Sequence, residues 1–110
     1  MSGMSGMSEA LRCRIPATAT VQADDETSRV TRWDFPPGAE TGWHRHGWAY
    51  LVVPVTDGTM TLEEPGGATR EARIKAGVSY TRPPGVEHNV VNGGTEPFSF
   101  VEIEFKAHPG

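Results

Sequence analysis

Apolar and polar side chains alternate along most of this chain with a period of two. Gly, Pro, Asn or Asp interrupts the alternation about every ten residues, the rhythm of a sandwich or barrel. Leu11 to Gln22 reads as extended, with β-branched Thr18, Thr20 and Val21, and Ala23-Asp24-Asp25-Glu26 turns it. Arg29 to Phe35 predicts a strand with Trp33 and Phe35 on one face, ended by Pro36-Pro37-Gly38, since proline has no donor for a ladder. Trp48 to Thr56 is the most apolar segment. Leu51, Val53 and Val55 fall on one face and Trp48, Tyr50 and Val52 on the other, which predicts cover on both sides. Asp57-Gly58 predicts a two-residue hairpin into a return strand Thr59 to Glu64, with Met60 and Leu62 inward. Short strands follow over Arg70–Ile74, Val78–Thr81, His88–Val91 and Phe98–Phe105, separated by Gly- or Pro-rich turns. No segment carries a helical period. Roughly eight to ten short antiparallel strands predict an all-β jelly roll.

Composition narrows the picture. A chain of 110 residues is one domain, placed at 11–110 after a tail at 1–10 whose Met/Ser/Gly repeat is too polar to pack and reads as disordered. The formal net charge of −4 gives a nucleic-acid partner no electrostatic support. The single cysteine, Cys13, excludes an internal disulfide and fits a reducing compartment; no role is expected for its thiol. No apolar run approaches the ~20 residues needed to span a bilayer, and MSGMSGMSEA has no signal-peptide core. The expectation is a cytoplasmic protein with no membrane partner.

Candidate chemistry lies in the histidines. His44 and His46 are one residue apart, so on an extended backbone both imidazoles point to one face. His88 lies in a second turn-rich stretch, and only His108 stands outside the cluster. Three neutral imidazoles meeting at one point make a transition-metal site.

The spacing of these residues resembles the two motifs of the cupin superfamily. The second, G, five residues, P-x-G, two residues, H, three residues, N, is complete in Gly77, Pro83, Gly85, His88 and Asn92. Of the first, Gly38, His44, His46 and Gly58 fit. The format is similar to small single-domain bacterial cupins, and GWHRHGW and GVEHNVVN to those described as beta-alanine degradation proteins. The resemblance implies a cupin jelly-roll barrel and one divalent metal (Fe, or Zn, Ni or Mn) on His44, His46 and His88.

One motif position departs from the pattern. Where a glutamate is expected, this chain has Tyr50 or Leu51, and parity with His44 and His46 selects Tyr50 as the inward residue. A neutral phenol is a poor ligand at pH 7. The site is therefore three histidines with open positions for water or substrate. Tyr50 is the candidate catalytic residue, as a hydrogen-bond donor to a metal-bound water or as a phenolate ligand; the alternative is an aromatic filler.

Superfamily members of this kind include three-histidine iron dioxygenases. The resemblance thus implies a dioxygenase-like enzyme acting on a small molecule in the barrel. The alternatives are a non-catalytic small-ligand binder and a metal-assisted isomerase or epimerase. Lesser candidates are Tyr80 and Arg82 for a substrate carboxylate, against a solvated loop, and Trp48 as a cavity wall, against packing. Trp43 reads as packing. Glu102 and Glu104 alternate with Val101, Ile103 and Phe105, so an acidic solvent face is expected; an inward Glu102 would stand in for the missing carboxylate. The outward Leu51, Val53 and Val55 predict a homodimer.

Overall fold

The computed structural model describes residues 14–106. The tail at 1–10, Cys13 and His108 lie outside the described residues. Eleven strands follow one another: β1 Ile15–Pro16, β2 Thr18–Asp24, β3 Ser28–Phe35, β4 Ala39–Glu40, β5 His44–Arg45, β6 Tyr50–Pro54, β7 Gly58–Glu63, β8 Thr69–Ile74, β9 Tyr80–Arg82, β10 Glu87–Val91 and β11 Phe98–Phe105. Among the described residues the one helical element is a 3₁₀ turn at Pro65–Gly67. The strands form two sheets. One runs β1-β4-β10-β7-β8 with β5 also on β10, and the other β2-β3-β11-β6-β9. Every pairing is antiparallel except β1 with β4. This is the expected all-β jelly roll.

The predicted Asp57-Gly58 hairpin does not form. β6 pairs with β11 and β9, whereas β7 pairs with β10 and β8, so these two residues carry the chain from one sheet to the other. Val55 and Thr56 both donate to the Ser99 carbonyl, and the Asp57 carboxylate accepts from the Ala76 amide at 2.9 Å. Gly58 is required for a different reason than turn geometry. A Cβ there would lie 2.7 Å from the Cβ of Phe98, so only glycine lets the chain pass this core aromatic. The strand expected over Val78–Thr81 also starts later, at Tyr80, and Val78 is exposed.

Between the sheets, cross-strand pairing sorts the inner face of the second sheet into rows. Phe35 pairs with Phe98 and Trp33 with Phe100; the next rows are Thr31–Glu102–Val52–Tyr80 and Arg29–Glu104–Tyr50–Arg82. The first rows make the closed end of the barrel. Phe35 stacks on Phe98 at 4.7 Å and on Phe100 at 5.5 Å, and all three are buried. Each such burial stabilises the fold by about 1.5–3 kcal/mol. Met60, Leu62, Ile74 and Val90 complete the core from the other sheet. Asn92, the last motif residue, is buried here; its amide donates to the Phe35 and Glu96 carbonyls and its oxygen accepts from the Gly94 amide, which ties the β10–β11 turn.

Candidate metal centre

The three histidines reach one point from two turns of chain. His44 on β5 is the direct cross-strand partner of His88 on β10, and His46 follows where β5 ends. The Pro83-Pro84-Gly85 turn fixes the backbone of His46. Gly85 donates to the His46 carbonyl and His46 donates to the Val86 carbonyl, both at 2.8 Å. Gly85 holds a φ of +93°, which a side chain would strain, so the second motif's glycine positions the first motif's histidine.

The rings stand nearly perpendicular to one another, with interplanar angles of 79°, 73° and 88°. Their Nε2 atoms converge: His44 to His46 is 2.9 Å and His46 to His88 is 3.3 Å. Nitrogens bound ~2.1 Å from one metal at angles near 90–109° are ~3.0–3.4 Å apart, so the spacing fits one ion. The protonation pattern fits as well. Nδ1 of His44 donates to the Gly42 carbonyl at 2.8 Å, leaving its Nε2 with a free lone pair. His46 and His88 are each 5% exposed. Burial, with the charges of His44, His88 and Arg82, lowers His46 to a pKa of about 3. Burial, with His44, Arg82 and Arg70, lowers His88 to about 4. Both imidazoles are neutral at physiological pH, as metal ligands must be.

Sequence reasoning missed the residues that hold this arrangement from behind. The Asn89 oxygen accepts from the Gly42 amide at 2.9 Å, and the Gly42 carbonyl in turn accepts from Nδ1 of His44. The Asn89 amide donates to Glu40 and Glu63, and Arg14 bridges the same two carboxylates. Asn89 stands beside His88 in sequence, but only the fold reveals that it supports His44.

Tyr50 faces the cavity, as parity predicts, and is 2% exposed. Its ring lies flat on His46 at 3.9 Å between centroids and 20° between planes. Burial raises the phenol above its usual range, with Arg82 opposing, so it keeps its proton.

Two expectations are corrected. The acidic face of β11 is inward: Glu102 is 8% exposed, and its Oε2 lies 3.8 Å from Nε2 of His46. Phe98, Phe100, Glu102 and Glu104 share one parity, and the two phenylalanines fix that parity in the core. Burial, with repulsion from Glu104, raises Glu102 to a pKa of about 7 against a weaker opposing hydrogen bond from Trp33. Glu102 groups with His46 and Glu104, while the tight cluster of His44, His46 and His88 does not include it. It is a neighbour of the three nitrogens rather than one of a converged set of four. Tyr80 and Arg82, in turn, are on β9 and line the cavity instead of lying in a solvated loop.

Neither Trp43 nor Trp48 walls the cavity, and the packing expected of Trp43 is not found. Trp48 does not line the cavity and lies between Arg29 and Lys106, because the bend at Gly47-Trp48 precedes β6. Trp43 is exposed and donates to Glu87 at 2.8 Å. The cavity measures about 630 Å³, with Val52, Met60, Leu62 and Phe100 among its apolar walls. That is the size of a small-ligand pocket.

Comparison with known proteins agrees with this architecture. Residues 31–104 match the cupin domain family. The chain is 54% identical over 93 residues to the beta-alanine degradation protein BauB of Pseudomonas aeruginosa, covering 84% of this chain and 97% of that one. It is also similar to a cupin domain of Bordetella pertussis solved by crystallography: 56% identity, TM-score 0.82, 86% of this chain and 97% of the other. An RmlC-like cupin from Methanocaldococcus jannaschii, with 16% identity, a TM-score of 0.68 and coverage of 86% and 84%, shares the fold. Two motifs in register, two sheets closed over three converging histidines and these relatives lead to one conclusion: the chain belongs to the cupin family.

Proposed function

We propose that this cupin binds one divalent transition metal on His44, His46 and His88 and uses it on a small molecule of metabolism. A single observation carries the reading: three imidazoles aim their Nε2 atoms at one point on the wall of a cavity of about 630 Å³. A bound iron would supply dioxygenase-type redox chemistry, and zinc Lewis-acid chemistry or an activated water. The chain's own residues do the rest. Apolar walls exclude water, Arg82 attracts an anionic group, and Tyr50, protonated and stacked on His46, presents a hydroxyl as hydrogen-bond donor in the catalytic role. The name of the Pseudomonas relative supports a role in beta-alanine metabolism. A non-catalytic ligand-binding cupin and a metal-assisted isomerase are the competing readings. Elemental analysis of protein purified without chelator or affinity nickel decides among them: near-stoichiometric iron supports the oxygenase, zinc turns the reading to Lewis-acid chemistry, and a metal-free site overturns it.

The working unit is proposed to be a homodimer. On the outer face of the second sheet, Val30 pairs with Ile103, which pairs with Leu51, and Val101 pairs with Val53. These five apolar side chains are only partly covered and Val55 is exposed, a surface that a second copy would cover. A monomer mass by light scattering across micromolar concentrations would count against it. Among the described residues no helix is long and apolar enough to cross a membrane.

A further inference from the structure

We propose that the ligand of this cavity is a short zwitterion carrying an amine at one end and a carboxylate at the other, an inference that rests on the cavity being a small-ligand site. The polar groups beside the histidines are of both signs and are separated. Glu104, Tyr50 and Arg82 form one cross-strand row on the inner face, so Glu104 and Arg82 stand two strands apart. At ~4.8 Å per strand their Cβ atoms are roughly 10 Å from each other, with the flat Tyr50 ring between them.

Neither charge is answered within the described residues. Arg82 lines the cavity and makes no ion pair or hydrogen bond, although Glu104 lies on the same row. Glu104 has Arg29 as its direct cross-strand neighbour, but that guanidinium is turned to Asp24 at 3.2 Å and over the Trp48 ring at 5.5 Å. The other arginines do not fill the gap. Arg70 is paired with Glu64, and Arg45 and Arg73 are exposed at the rim. Glu102 and Glu104 both stand beside His46, Glu102 at 3.8 Å from its Nε2, so this acidic pair, with Glu104 the less buried of the two, is the end that takes a ligand's cation. A guanidinium takes a carboxylate by two parallel hydrogen bonds, and a carboxylate takes an ammonium by a charge-assisted one. The apolar walls Val52, Leu62 and Met60 suit a short methylene chain between the two ends.

The test is isothermal titration calorimetry on the purified protein, its metal content measured first. The probes are β-alanine and 4-aminobutanoate, against propanoate and butanoate, which lack the amine, and propylamine and butylamine, which lack the carboxylate. The expected result is that a zwitterion binds at least about tenfold tighter than either partner of its own length, since a site built for two polar ends rejects a ligand missing one. Glu104→Gln should remove most of the advantage over the carboxylate, and Arg82→Gln most of the advantage over the amine, each with metal content unchanged. A plain carboxylate or amine binding as tightly as the zwitterion, no binding by any probe, or an undiminished preference in both variants would overturn the proposal. Loss of the metal reading is a separate result, read from the elemental analysis alone.

Discussion

On the β10 side of the barrel the polar groups are imidazole nitrogens, and two of the three histidines are held by neighbours behind them, while the buried Nδ1 of His88 has no partner among the described residues. On the β11 side the polar groups are ionisable and placed mainly by strand alternation. His44 is fixed through Gly42 and Asn89, and His46 through Gly85 and Val86. Glu102, Glu104 and Arg82 have no comparable supports; they point inward because Phe98, Phe100, Tyr50 and Val52 set the phase of their strands. The difference teaches where precision is stored. The first face has a preset geometry that fails when a support is removed, while the second holds charges whose exact placement a ligand or ion can adjust.

The largest expected break of this contrast is His88→Ala. Removing one of three ligands should reduce bound metal to a small fraction of stoichiometric by elemental analysis, whereas Glu104→Ala on the opposite face should leave it near the parent value. Full metal in the His88 variant would sink the assignment. Next comes Asn89→Ala, which touches no Nε2 atom. It frees the Gly42 amide and leaves Glu40 and Glu63 facing each other with Arg14 alone, so metal affinity should fall roughly 10–100-fold in a competition titration against a chelator. An unchanged affinity would mean that the support behind His44 is dispensable.

Acid should expose the two faces with opposite signs. In chelator-treated protein, His46 and His88 resist protonation down to about 3 and about 4, while unfolded histidines protonate near 6.5. The unfolded chain then binds more protons, so their contribution to stability is lost as pH falls below about 6.5. Glu102 is raised from 4.5 to about 7, so the folded chain holds its proton longer and the stability it contributes is lost as pH rises through about 7. Two histidines outweigh one glutamate. The melting temperature should therefore be lower at pH 5 than at pH 7, and Glu102→Gln should steepen the fall. A higher melting temperature at pH 5 would reverse the argument.

The smallest effect is expected from Tyr50→Phe. The ring that stacks on His46 remains and only the hydroxyl goes, so metal content and melting temperature should stay near the parent's while any turnover drops. Unchanged turnover would make Tyr50 a filler, as one reading of the sequence has it.

Much of the fold and of the three-histidine cluster was legible in the sequence because both depend on local spacing. Alternation with period two marks strands, and Pro and Gly end them. An H-x-H pair shares a face, and the Pro83-Pro84-Gly85 turn places His88 within reach of it. Parity also places Tyr50 toward the cavity, although β5 ends at Arg45 and β6 begins at Tyr50. The misreadings share one cause. Asp57-Gly58 has the composition of a hairpin, but whether the next strand turns back onto its predecessor or crosses to the other sheet depends on which partners wait there.

By itself, then, the sequence determined most of the strands, the barrel class and the three candidate histidines, because each is a property of residues a few positions apart. The tertiary structure alone decided which face of β11 is inward. Val101, Ile103 and Phe105 argue locally for one phase and Phe98 and Phe100 for the other, and the aromatics win because their burial against Phe35 closes the barrel. It alone also decided that Asn89 supports His44, and that Glu104 and Arg82 stand on one row with Tyr50 between them. These relations join residues tens of positions apart, and they exist only once the register between strands is set.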